Sequence, residues 1–265
     1  MRKLSVSFLM MGFVACGTSG AIAQNLLFNG NLDQTYAQVI VDNDPPGAGS
    51  EDFFLPKPLG WVNEGTRVIT GAYEDELSSE PWAGPAPTPV TADASGLPGP
   101  DGCGEGNLDC GVFFKAFSGN LENGPATGHL YQDNPATPGL KYILTGWAGA
   151  EANFLAAGAE IALEFLDGGG GVIPLSGQTV NLLPTLFVDN GEPFDYKQYM
   201  AMAIAPAGAA EVRSRVSMIG GTNNPLGGGQ AFVVDDFRLT AIPEPASVAL
   251  GLLGVLGLLG LVRRR

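Results

Sequence analysis

The side chains in this sequence that can do chemistry are few in kind. Cys103 and Cys110 lie six residues apart in DGCGEGNLDCG, a glycine-rich acidic stretch. In an oxidising compartment such a pair forms a disulfide that closes a small loop, provided the third cysteine, Cys16, leaves with the N-terminal segment. The rival reading is a metal or redox site, but no histidine or third cysteine lies nearby and the spacing is not CxxC. His129 is the single histidine, a poor basis for a metal centre, and a Ser-His-Asp arrangement cannot be judged from linear order. Carboxylates are abundant: 27 acids against 13 Lys and Arg give a formal charge of −14. Two of them suitably spaced would serve a glycosidase, yet so many acids make some pair inevitable, and catalysis has little support.

The elements that must carry these residues are bracketed by two apolar ends. Residues 1–23 have the pattern of a secretory signal: Arg2 and Lys3, an apolar run from Leu4 to Ala15, then small residues ending in Ala21-Ile22-Ala23, with cleavage expected after Ala23. The competing reading is a lipoprotein signal, because Phe13-Val14-Ala15-Cys16 loosely resembles a lipobox. The last 24 residues, 242–265, hold Pro243-Glu244-Pro245, an uncharged apolar run over 246–262, and Arg263, Arg264 and Arg265. Seventeen residues at about 1.5 Å rise each span roughly 25 Å, close to a ~30 Å hydrocarbon core. The run is therefore expected to form a transmembrane helix, and the terminal arginines are expected to stay cytoplasmic.

Pro-Glu-Pro, a short Gly/Leu-rich span and a terminal arginine cluster closely resemble the PEP-CTERM sorting signal of Gram-negative bacteria, with Ile242 where valine is commoner. The resemblance implies that an exosortase cuts near the motif. It further implies export through the inner membrane to the cell surface or extracellular matrix, with membrane attachment only before processing.

Between these ends, residues 24–241 retain 8 cations and 26 acids, a net charge near −18. Such a balance excludes nucleic acid as a partner, keeps the domain soluble and offers ligands for divalent cations. Short strands between turn signals predict an all-β antiparallel sandwich. Strands are expected at 26–28, 59–69, 112–118, 128–132, 140–147, 160–165, 180–188, 196–204, 211–218 and 230–240. In Glu160–Phe165, Ile161, Leu163 and Phe165 face inward; in Glu211–Met218, Val212, Val216 and Met218 do. Arg213 and Arg215 then lie outside, where they are expected to pair with Glu160 and Glu164. Residues 42–110 stand apart, rich in proline and holding 13 acids between Asp42 and Asp109. They are expected to form long surface loops around one strand near Trp61.

The opening NLLFNGNLD, the middle GHLYQ with PGLKYILTGWAG, and the closing AFVVDDFRLT resemble galactose-binding-like jelly rolls found in many carbohydrate-binding modules. The long acidic segment after the first strand departs from their compact pattern. Such a fold brings its termini together, so the resemblance implies a structural calcium site joining Asp33 to Asp235 or Asp236, completed by backbone carbonyls. It also implies a sugar platform of exposed aromatics flanked by hydrogen-bonding groups: Trp147 first, with Trp82, Tyr73, Arg213 and Arg215 as further candidates and Trp61 assigned to the core.

Three functions follow as expectations. The first is a non-catalytic exported surface or matrix protein whose jelly roll associates with extracellular polysaccharide. The second is a structural or adhesive surface protein without a defined glycan ligand. The third is a polysaccharide-degrading enzyme.

Overall fold

The computed structural model describes residues 24–40, 53–67, 77–81, 110–116, 125–186, 196–227 and 229–242. The signal segment, Pro243 to Pro245, the apolar run 246–262 and Arg263 to Arg265 lie outside the described residues, as do Tyr73, Trp82 and Cys103. Among the described residues no helix is long and apolar enough to cross a membrane.

The described residues form twelve strands in chain order: β1 (Thr35–Ile40), β2 (Phe53–Pro58), β3 (Val62–Arg67), β4 (Leu77–Pro81), β5 (Cys110–Lys115) and β6 (Ala126–Pro135), then β7 (Lys141–Ala150), β8 (Gly158–Leu166), β9 (Gln178–Asn181), β10 (Lys197–Ile204), β11 (Glu211–Gly221) and β12 (Ala231–Ile242). A single-turn helix, α1 (Leu183–Leu186), follows β9. Two five-stranded antiparallel sheets result, β3-β6-β11-β8-β9 and β10-β7-β12-β5-β4, with β1 and β2 as a separate pair. From β5 to β12 the chain alternates between the two sheets, and only the β8–β9 hairpin stays within one. This repeated crossing is the jelly-roll form of a sandwich.

The sheets face each other because each has one apolar side. Leu130, Ile161, Leu163, Phe165, Val212, Val216 and Met218 of the first meet Tyr142, Leu144, Phe232, Val234, Phe237 and Leu239 of the second in one buried cluster. The rings of Tyr142 and Phe165 touch edge-on across the layer, 5.7 Å between centroids. Burying each such side chain contributes about 1.5–3 kcal/mol. Trp61 is buried as expected and packs 5.4 Å from the Phe237 ring.

Three expectations need correction. The described residues between Asp42 and Asp109 form three strands, β2, β3 and β4, where one was anticipated. The prolines within these strands are tolerated because Pro56 and Pro58 sit in a two-stranded pair and Pro81 ends β4 at a sheet edge, where missing donors cost little. Residues 26–28 are no strand: Leu26 donates to the Leu239 carbonyl at 2.8 Å, but Phe28 to Gly30 turn away. The stretch 180–188 stops pairing at Asn181, whose side chain accepts the Leu183 N–H at 3.1 Å, and Pro184 lies in the short helix that follows.

Candidate functional site

The site begins with a parity conflict in β12. Uninterrupted alternation through FVVDDFRL would place Phe232, Val234, Asp236 and Arg238 all on the core face. Two charges there would cost far more than the strand gains. The chain resolves this with a bulge: Asp235 pairs with Trp147 of β7, but Thr145 pairs with Arg238, so β12 carries one extra residue. Asp236 adopts a left-handed φ of 50° within it. Beyond the bulge Phe237 and Leu239 return to the core and Arg238 is exposed. Gly146 of β7 makes the inward turn possible, since a Cβ there would lie 2.4 Å from the Phe237 ring.

The N-terminal segment is clamped against this bulge. The Asn25 side chain donates to the Phe237 carbonyl at 3.0 Å and accepts the Leu239 N–H at 2.9 Å. The Phe237 N–H in turn donates to the Gly30 carbonyl at 2.7 Å. Only glycine fits at position 30, because a Cβ would sit 2.3 Å from the Phe237 carbonyl oxygen. Behind it Asn29, at φ 48°, accepts the Trp61 indole N–H on its carbonyl at 3.0 Å and ties its side chain to Gln34 and Leu59. Buried Gln132 of β6 fixes the same turn by bonds to Phe28 N–H and to the Phe28 and Gly60 carbonyls, at 2.9–3.0 Å. The segment 25–30 and β12 thus meet, as the jelly-roll expectation required.

Where they meet, the outer face of the second sheet holds a cavity of about 470 Å³. Trp147 and Thr145 of β7, Gln198 of β10 and Asp236 and Arg238 of β12 line it, with Asn25 and Asn31 from the N-terminal segment. Trp147 points outward with Ile143 and Thr145, away from buried Tyr142 and Leu144. An indole face beside amide, carboxylate and guanidinium groups can stack on an apolar ring face while hydrogen-bonding polar groups at its rim. Trp147 and Asp236 were legible as candidates. Asn31, Gln198 and Arg238 were missed, although two charges at core parity in DDFR already signalled the bulge that brings Arg238 out.

Arg213 and Arg215 lie on the opposite side of the sandwich. Arg213 makes a bidentate pair with Asp133, at 2.7 and 2.8 Å, which raises its pKa, and its guanidinium lies 3.9 Å above the Tyr131 ring centre. Tyr131 donates to Glu64 at 2.9 Å, and burial followed by that bond raises the phenol pKa. Arg215 bonds Glu164 at 2.8 and 3.2 Å and reaches Glu160 at 3.5 Å. The expected cross-strand pairing therefore forms for Arg215, while Arg213 chooses Asp133. His129 lies 2.7 Å through Nδ1 from Ser217 Oγ, which Arg215 also contacts. Burial, then Arg215, lowers the His129 pKa against the opposing pull of Glu64, Glu160 and Glu164. These cations are engaged by carboxylates, and the Tyr131 ring is capped by one of them.

The remaining candidates sit near the clamp. Asp33 accepts the Cys110 N–H on Oδ1 at 3.0 Å and the Asn31 amide on Oδ2. Asp235 is buried and accepts the Asp236 N–H at 2.6 Å. Among the described residues no three His, Cys, Asp or Glu side chains form a group able to hold a metal ion. Cys110 is buried at the start of β5.

No protein-family profile and no curated protein sequence matches this chain. Among solved structures, the module TmCBM61 in complex with β-1,4-galactotriose overlaps 83% of this chain and 100% of its own at 15% identity and a TM-score of 0.41. A family 16 carbohydrate-binding module overlaps 62% of this chain and 85% of its own at 14% identity and a TM-score of 0.36. The enzymatically active domain of bacteriophage CBA120 tailspike protein 4 overlaps 69% at 12% identity and a TM-score of 0.43, and this chain spans 20% of it. At these scores the fold assignment stands on strand order and register alone.

Proposed function

We propose that this is a non-catalytic exported protein that binds extracellular polysaccharide through the cavity around Trp147. The observation that carries the reading is the convergence of Trp147, Asn31, Gln198, Asp236 and Arg238 on one open cavity of about 470 Å³. That volume suits one or two sugar rings. A stacking indole ringed by short polar side chains matches a pyranose, which has one apolar face and an equatorial belt of hydroxyls. The opposite sheet is the weaker candidate because its arginines are held by Asp133, Glu160 and Glu164 and its tyrosine ring is covered. A glycan array probed with the purified exported chain tests the reading: saturable binding supports it, and no binding to any glycan, with or without calcium, overturns it.

The route belongs to the same proposal. Signal cleavage after Ala23, exosortase processing near Pro243-Glu244-Pro245 and transient membrane attachment through 246–262 would deliver the domain to the surface of a Gram-negative cell. Mass spectrometry of the extracellular protein tests it, and a predominantly intact C-terminus would replace sorting with plain anchoring. The same spectra with and without reductant test the Cys103–Cys110 disulfide. Calcium between Asp33 and Asp235 or Asp236 is a further proposal; a melting temperature unchanged by EDTA would remove it.

A further inference from the structure

The cavity opens onto a longer surface. β10 and β12 flank β7 in antiparallel register, so outward side chains form rows across the three strands. Gln198 and Trp147, with buried Asp235 at the same register, form the first row, then Met200, Thr145 and Arg238, then Met202, Ile143 and Thr240, then Ile204, Lys141 and Ile242. Hydrogen-bonding groups concentrate at the first row and the bulge. Past Thr145, itself part of the cavity lining, the β10 side of the surface turns apolar, while Thr240 and Lys141 interrupt it toward Ile242. Met200, Met202, Ile204 and Ile242 are 49, 37, 52 and 41% exposed. In a chain of net charge −14, the apolar strip formed by Met200, Met202 and Ile204 along β10 with Ile143 beside them, continuous with a polar cavity, marks a binding surface. The β10 edge is engaged beside it, because the Met202 N–H donates to Gln178 Oε1 at 2.6 Å.

We propose that the polysaccharide stacked on Trp147 continues across Met200, Ile143 and Met202, and that the sugars lying there carry O-acetyl substituents. The inference rests on the glycan-binding reading and deepens it to a ligand class. A fully hydroxylated pyranose laid on thioether and isoleucine side chains would surrender water without gaining partners. A substituent methyl gains from the same burial, at about fourfold in affinity per buried CH₂ equivalent. Methionine suits substituents spaced irregularly along a chain, because its unbranched thioether adapts to their shape.

The test is a panel of bacterial polysaccharides, each used as the native O-acetylated polymer and after mild alkaline deacetylation, titrated against the exported chain. The expected result is a fourfold or greater preference for the acetylated form that disappears in M200S/M202S while binding to the deacetylated form persists. Equal affinity for both forms overturns the inference and leaves the glycan-binding reading intact. Binding to no member of the panel overturns both. A concentration-dependent dimer in sedimentation that M200S/M202S abolishes, without any acetyl preference, assigns the strip to a second copy of this chain and overturns the inference.

Discussion

Replacing Gly30 by alanine should break the joint on which the cavity is built. The added Cβ would lie 2.3 Å from the Phe237 carbonyl oxygen and 2.6 Å from Asn25 Nδ2. The first contact is with backbone and cannot be relieved by a rotamer change, so the N-terminal segment must lift off β12. That movement stretches three hydrogen bonds: Phe237 N–H to Gly30, and the two made by the Asn25 side chain. At about 1 kcal/mol net each, plus roughly 1–3 kcal/mol for overpacking, the cost is about 4–6 kcal/mol. A domain of this size should lose roughly 2–4 °C of Tm per kcal/mol, hence about 8–24 °C. Thermal and urea unfolding of the exported chain measure this, with Gly168→Ala as control because an added Cβ there meets nothing within 4 Å. If Gly30→Ala melts within a degree or two of both the parent and the control, the clamp reasoning is wrong.

Other outcomes follow from the same geometry. Gln132→Ala leaves the Phe28 N–H and the Phe28 and Gly60 carbonyls without their buried partner, and should cost about 2–4 kcal/mol in urea unfolding; a loss below ~1 kcal/mol would show that water replaces the side chain. His129 has a folded pKa below its ordinary 6.5, so between those values the unfolded chain binds more protons. Its contribution to stability therefore falls as pH drops through about 6.5 and levels off below the folded pKa. The Tm of His129→Gln should accordingly decline less than the parent's over that window, and parallel pH profiles would count against the assignment.

Much of the sandwich was legible because half-buried strands alternate. Glu160–Phe165 and Glu211–Met218 show their buried faces in sequence, and the structure buries Ile161, Leu163, Phe165, Val212, Val216 and Met218 accordingly. β2 and β4 were hidden by prolines, which read as loop until their edge positions are known. The residues around 26–28 misled in the opposite direction: apolar composition suggests a strand, but Asn29 in a left-handed conformation turns the chain into a clamp. Trp147 could be chosen from its parity opposite Tyr142 and Leu144. Gln198 could not, since it reaches Trp147 only through cross-strand register, whereas for Arg238 the charge parity of DDFR was the available signal. Arg213 and Arg215 show the limit of residue type as a guide: both were expected to pair with Glu160 and Glu164 as well as to flank a sugar, and only Arg215 takes those partners while Arg213 pairs with Asp133.

The most direct measurement is calorimetric titration of the best array glycan into the exported chain and into two single variants, Trp147→Ala on the cavity face and Arg213→Ala on the opposite face. Loss of a stacking aromatic should weaken binding tenfold or more, while Arg213→Ala should leave the Kd within twofold of the parent. Unaltered affinity in Trp147→Ala, or a loss confined to Arg213→Ala, would contradict the assignment of glycan binding to this cavity.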